Sequence, residues 1–327
     1  MKKNGTAMAA VCAGILFSFS GFVSGNNIAA ADSTDESIEW KTVVTIEDEA
    51  VPLYSKPNGN AVKIPQAPGT VTYGNGSALI DASNISHGYV MIQYSGKSSK
   101  IKVQVIKSGG ETYSYDLNAR SAYEVFPLTE GNGKYTVRVL EQVQGTQYAI
   151  KSSSDINVTL ADQFDPFLYP NQYVNFSAGS AVVKKGEELA ASATDDIGIV
   201  TNVYNYVIKN FTYDTALANS VQSGYLPNVD QVLAQKKGIC FDYAAVMTAM
   251  LRSQNIPTKL VVGYTGSLYH AWVNVYIDGQ GWVDNIIYFD GYDWKLMDPT
   301  FASSGGSDPA IQQYITNSSN YKAKYSY

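Results

Sequence analysis

The chain offers few side chains for covalent chemistry. It holds two cysteines, Cys12 and Cys240, and two histidines, His87 and His270. Cys12 falls inside an N-terminal apolar run, so Cys240 stands alone in the rest of the chain and has no partner for an intramolecular disulfide. A lone thiol in an exported protein reads either as a reactive group or as an inert buried residue. Zinc would need His and Cys ligands close together, and His87, Cys240 and His270 are too far apart in the chain for that, so no metal or cofactor is expected. Cys240 opens the segment Cys240–Ser253 (CFDYAAVMTAMLRS), in which only Asp242, Thr248, Arg252 and Ser253 are polar. A helix apolar on nearly every side must be buried. Gly238 just ahead is expected to supply an unusual backbone turn, and Asn255 and Pro257 mark the helix end. Cys240 then lies in the first turn, where backbone N–H groups and the positive end of the helix dipole favour thiolate over thiol.

His270 begins HAWVNVYID, a strand pattern with His270, Trp272, Asn274 and Tyr276 on one face and Ala271, Val273, Val275 and Ile277 on the other. Trp294–Pro299 (WKLMDP) reads as a second strand, with Trp294, Leu296 and Asp298 sharing a face. Antiparallel pairing with Asp278 near Asp290 would set His270 opposite Asp298, within hydrogen-bond reach. Trp282–Tyr292 would then be an inserted hairpin. A thiol at a helix start, a histidine at a strand start and an aspartate at a strand end make a Cys-His-Asp triad: the imidazole takes the thiol proton, and the carboxylate fixes the ring tautomer. His87, in the turn-like stretch Asn84–Gly88, is expected to be an exposed loop residue without a role.

Five motifs carry a resemblance to the transglutaminase-like superfamily. The run Gly238-Ile239-Cys240-Phe241-Asp242-Tyr243-Ala244 is similar to its nucleophile motif. Leu251 to Pro257 (LRSQNIP) is similar to its Leu-Arg-x-x-Gly-Ile-Pro, with Asn255 where the family has Gly. Val262-Gly263-Tyr264, His270-Ala271-Trp272 and Asp298-Pro299-Thr300 follow in the family order, and the resemblance spans Asp195–Phe301. It implies a papain-like core of helices on an antiparallel sheet, with Cys240 as nucleophile, His270 as base and Asp298 as orienter. The long stretch between Trp272 and Asp298 makes Asp284 a rival for the third role. The Cys240 backbone N–H is one expected oxyanion donor, and Asn210 and Tyr213 are candidates for the second from their place ahead of the cysteine. Tyr264 and Tyr269 are candidates for an acyl pocket, and Trp272 is a further candidate for substrate binding. Trp272 and Trp294 read either as shields of the His–Asp bond or as core.

These residues need a scaffold. The chain has 327 residues, 45% hydrophobic and 16% charged, which suits about two domains and excludes a disordered or collagen-like chain. A net charge of −6 without a basic stripe argues against nucleic acid as partner. Lys2 and Lys3, the uncharged run Ala7–Val23 and Ala29-Ala30-Ala31 read as a secretory signal over 1–31. No second apolar span follows, so a secreted or cell-surface protein with no membrane span after cleavage is expected. Residues 32–75 read as an extended leader. Short Val-, Ile- and Tyr-rich segments between turn residues over 76–161 read as an all-β, immunoglobulin-like sandwich. Residues 162–185 read as an aromatic-rich linker and 186–327 as the catalytic domain, with helices over Asp196–Phe211 and near Asp230–Lys236. The fold class expected is thus α+β, a papain-like core after a β-sandwich. The function expected is acyl transfer at an amide of a protein or peptide, extracellular or in the cell wall, by hydrolysis or by crosslinking. The alternative is an inactive module serving in surface binding or adhesion.

Overall fold

The computed structural model describes residues 62–119, 121–283, 287–289, 294–296 and 320–327, with 287–289 and 294–296 described through their backbone. The expected signal segment, most of the leader, Asp284 and Asp298 lie outside the described residues.

Eight strands come first: β1 (Thr72–Asn75), β2 (Ala78–Asp81), β3 (Tyr89–Tyr94), β4 (Ile101–Lys107), β5 (Thr112–Asp116), β6 (Glu124–Pro127), β7 (Gly133–Gln144) and β8 (Gln147–Val158). They form two four-stranded antiparallel sheets, ordered β1-β2-β3-β6 and β5-β4-β7-β8. Alternation decides which way each side chain points. In β4, Ile101, Val103 and Val105 are buried while Lys102 and Gln104 face outward. Buried Ile80, Val90 and Ile92 of the first sheet share one hydrophobic cluster with Val103, Val137 and Val139 of the second.

The aromatic-rich stretch after β8 is a packed strap rather than a free tether. Phe164, Phe167, Leu168, Val174 and Phe176 are buried, and so are Asp165, Asn171 and Gln172. Asp165 pairs with Lys63 and lies 2.7 Å from His87 Nδ1. His87 is therefore not the idle loop residue its turn-like surroundings imply: it helps tie the β half to the strap.

The second half contains α1 (Ala181–Ala190), α2 (Asp196–Asn210), β9 (Thr212–Tyr213), α3 (Thr215–Ser220), α4 (Val229–Gln235), β10 (Lys237–Gly238) and α5 (Cys240–Ser253). Strands β11 (Thr258–Thr265), β12 (Leu268–Ile277), β13 (Gly281–Val283), β14 (Ile287–Phe289), β15 (Trp294–Leu296) and β16 (Tyr321–Ser326) follow. An antiparallel sheet of order β13-β12-β11-β16 carries α5. Every residue of α5 except Phe241 is buried, as its apolar circumference requires. Helices α1, α2 and α4 pack around it. Ala271, Val273, Val275 and Ile277 of β12 join the same core, while Trp272 and Tyr276 on the opposite face sit in smaller clusters. The result is a mixed α+β fold with antiparallel sheets and a β-rich N-terminal region.

The C-terminal end of α5 explains two motif positions. Asn255 has φ +58°, the left-handed region that usually calls for glycine. The Ile256 N–H donates to the Leu251 carbonyl and the Asn255 N–H to that of Arg252, which is the Schellman pattern. Arg252 is buried. Its guanidinium donates to the carbonyls of Thr258, Tyr169 and Tyr327 at 2.6–2.9 Å, joining the helix end to the strap and both strand ends. Burial pulls its pKa down to about 9, still above neutrality, so the cation persists.

One expected pairing is not formed. Trp294–Leu296 pairs with Ile287–Phe289 in a separate two-stranded sheet, not with β12. The edge of β12 at Val275–Ile277 is taken instead by Gly281–Val283, through a tight turn with Gly279 and Gly281 both at positive φ. A three-residue turn closes at an entropic cost about 1 kcal/mol lower than one that must loop out Trp282–Tyr292.

Candidate active site

The nucleophile turn is built from three residues around Cys240. Gly238, where the sequence suggested an unusual backbone turn, is not among the positive-φ glycines. It is needed for space: a Cβ at 238 would lie 2.6 Å from the Asp242 Cβ and 2.8 Å from its Oδ2. Asp242 is fully buried and caps the helix, accepting from the Ile239 N–H at 2.9 Å and from the Tyr225 hydroxyl at 2.7 Å. Burial pushes its carboxyl pKa up, against the lowering effect of those two hydrogen bonds. Cys240 follows as the first residue of α5 and is 9% exposed. A carboxylate at the same helix end offsets part of the dipole's pull on a thiolate.

Cys240 and His270 line one cavity of about 700 Å³. His270 is 2% exposed and sits opposite Gly263 in the β11–β12 pairing. Its ring is stacked against Trp272 at 6.3 Å and tilted against Tyr321 at 6.4 Å. Gly263 has a steric reason too: a Cβ there would collide with the Lys322 carbonyl of β16 and with the Trp272 ring. The Val-Gly-Tyr motif thus lets the tail strand and the tryptophan close in behind the histidine.

The other candidates divide clearly. Tyr264 and Tyr269 line the cavity, paired across β11 and β12 with ring centroids 5.5 Å apart. Burial raises the Tyr269 phenol pKa, and Tyr325, Tyr264 and Cys240 add to the rise. Trp272 is 2% exposed and does not line the cavity; it backs His270, and its Nε1 has no hydrogen-bond partner among the described residues. Tyr213 lines the cavity because β9 runs parallel to β10, which pairs Tyr213 with Gly238. Asn210 is outside it: it is exposed at the end of α2, and its side chain donates to the Tyr206 carbonyl at 2.8 Å.

Sequence reasoning missed the cavity floor. Phe241, next to Cys240, packs on Tyr173 of the strap at 5.5 Å, and Tyr173 packs on Tyr327 at 4.5 Å. Tyr325 and Tyr327 in turn meet Tyr113 of β5 at 5.2 and 5.5 Å. This accounts for part of the heavy tyrosine usage: the rings join the β half, the strap and the tail strand beneath the nucleophile. It also missed Asp242 as a cap, although an acid three residues after the residue preceding a helix is a readable signal.

Comparison with known proteins agrees with the motifs. Residues 184–299 match the family model described as transglutaminase-like superfamily. Protein YebA of Bacillus subtilis (strain 168), itself described as uncharacterized, is 36% identical over 104 residues; the match takes in 26% of this chain and spans 14% of that protein's length. Among solved structures, a candidate cysteine protease from Cytophaga hutchinsonii is similar with TM-score 0.38 at 14% identity, covering 73% of this chain and 79% of that one. The periplasmic domain of TgpA from Pseudomonas aeruginosa, bound to ethylmercury, is similar with TM-score 0.34 at 17% identity, covering 76% and 81%. On the family match, residues 184–299, which hold Cys240 and His270, belong to the transglutaminase-like superfamily.

Proposed function

We propose that this protein is an exported cysteine enzyme that transfers acyl groups from amides of protein or peptide substrates. The observation that carries the reading is the shared cavity: a thiol at the first turn of a buried helix and a buried histidine line the same space. The Cys240 thiolate attacks the amide carbonyl carbon, and the carbonyl π electrons move onto oxygen. The Cys240 backbone N–H, at the helix N-terminus, would stabilise that oxyanion. The C–N bond then breaks, and the amine leaves with a proton from the His270 imidazolium, giving a thioester. Water or a second amine attacks the thioester, His270 takes its proton, and the thiolate departs. Asp298 would hold the imidazole in the required tautomer, an assignment that rests on the resemblance of Asp298-Pro299-Thr300 to the family motif. Trp272 and Tyr321 shelter His270 from water on the side away from the cavity, which favours a strong, oriented hydrogen bond.

The test is incubation with a glutamine-rich protein and a labelled primary amine, scored for amine incorporation and for cleavage, with Cys240→Ala as control. Either product, lost in the control, supports the reading and decides between crosslinking and hydrolysis. Neither product, together with an unreactive thiol, would favour the inactive binding module.

A further inference from the structure

One wall of the Cys240 cavity belongs to the other half of the chain. It is the outward face of β4, β5 and β7. Lys102 and Gln104 are the outward members of β4, and the register sets Asp116 and Ser114 of β5 beside them. Lys100 and Gln142 extend the wall, joined through a hydrogen bond from the Gln142 N–H to the Lys100 carbonyl at 3.0 Å. From the catalytic sheet, Lys324 of β16 reaches the same cavity. Among the described residues, the charged side chains lining the cavity are Lys100, Lys102, Lys324 and Asp116, and Asp116 is bonded to Lys102 at 2.6 Å. In a chain of net charge −6, cations thus outnumber acids among the described lining residues. A cleft lined by one sign of charge focuses the field and concentrates the opposite charge. The glutamine amides between the lysines can both donate to and accept from an extended peptide backbone.

We propose that the β4–β5–β7 face is the substrate-reading wall of the active site and that it selects an acidic peptide segment, held across the cavity with its reacting amide at Cys240. The N-terminal β region is thereby part of the site and not a separate binding module. The inference rests on the reading of Cys240 as the acylating nucleophile, because that chemistry makes a peptide, rather than another polyanion, the ligand presented to the wall.

The experiment uses the full chain carrying Cys240→Ala. Two dye-labelled pentapeptides are compared by fluorescence anisotropy, a central glutamine flanked by two glutamates on each side and its counterpart flanked by lysines. At low ionic strength the glutamate peptide should bind roughly tenfold more tightly, and high salt should shrink the difference. Lys100→Glu and Lys102→Gln should each weaken the glutamate peptide by about threefold, the size of a partly exposed charge contact, and should not weaken the lysine peptide. Both lysines are solvent-accessible, and thermal melts of the variants check that the fold is kept. Equal binding of the two peptides, or a preference that neither substitution changes, would overturn the proposal. Alkylation of Cys240 in the unsubstituted protein separates the two readings. A reactive thiol with no charge preference sinks this proposal alone. A charge preference with an ordinary thiol leaves the wall as a peptide-binding surface and sinks the enzymatic reading.

Discussion

Gly238→Ala puts a methyl group where Asp242 already stands, 2.6 Å from its Cβ. Asp242 cannot easily give way, because it is fully buried and held by the Ile239 N–H and the Tyr225 hydroxyl. If the carboxylate stays, the backbone must shift, at an overpacking cost of about 1–3 kcal/mol. If it swings out, the helix loses its cap, about 1 kcal/mol, and a buried N–H is left unsatisfied for about 1–3 kcal/mol more. The first route gives about 1–3 kcal/mol and the second about 2–4 kcal/mol, each a large share of an ordinary folding free energy. Urea unfolding measures it. The decisive comparison is the same substitution on an Asp242→Ala background, where the obstructing side chain is gone and the added cost should fall below about 1 kcal/mol. If glycine were needed for backbone freedom, the cost would be the same on both backgrounds. Equal costs, or a single-variant loss under about 0.5 kcal/mol, would refute the steric reason for Gly238 and the capping role of Asp242.

Further outcomes follow from the same geometry. Burial raises the Asp242 pKa, so its contribution to stability is present below about pH 4 and is lost as pH rises through the raised value. Asp242→Asn has no such group; wild type should therefore lose stability relative to this variant between pH 4 and neutrality in urea titrations, and parallel pH profiles would contradict it. Asn255 holds a left-handed conformation, so Asn255→Ala should be less stable than Asn255→Gly by about 1–2 kcal/mol in thermal or urea unfolding. Arg252→Met would strip donors from the carbonyls of Thr258, Tyr169 and Tyr327 and should cost at least about 3 kcal/mol; a loss under about 1 kcal/mol would show that the guanidinium is not the tie described.

Legibility from sequence followed the strength of the local pattern. Helix α5 was readable at both ends, because an apolar run between Gly238 and Asn255 admits little else, and the strands β3, β4, β5, β11 and β12 show alternation or dense β-branched residues. Helix α1 was hidden by Gly186, a poor helix former. The structure shows why it is there: a Cβ would come within 2.9 Å of the Met250 carbonyl and the Ser253 hydroxyl, so only glycine lets α1 lie this close to α5. Strand β16 has the alternation of an edge strand, Tyr321 inward and Lys322 outward, but its partner β11 is more than fifty residues away and no local signal joins them. Of the residues that line the cavity, Cys240, His270, Tyr264 and Tyr269 stand out by their motif context, and Tyr213 only by its place in the chain ahead of the cysteine. Asn210 looked plausible by chain position and points elsewhere, because one residue's difference at a helix end changes its direction. The wall from β4 and β5 could not be foreseen, since Lys102 and Gln104 read as ordinary solvent-facing residues until the strap folds one half of the chain against the other.

The account turns on Cys240 and His270 acting as a thiolate–imidazolium pair. The direct measurement is the rate of iodoacetamide alkylation against pH, followed at Cys240 by peptide mass spectrometry, for wild type and His270→Ala. Wild type should react fast already at about pH 6–7, where an ordinary thiol of pKa about 8.5 is mostly protonated, and His270→Ala should move the rise in rate toward that value. A single rise near pH 8.5 in both proteins would show an unactivated cysteine and contradict the assignment of this cavity as an acyl-transfer site.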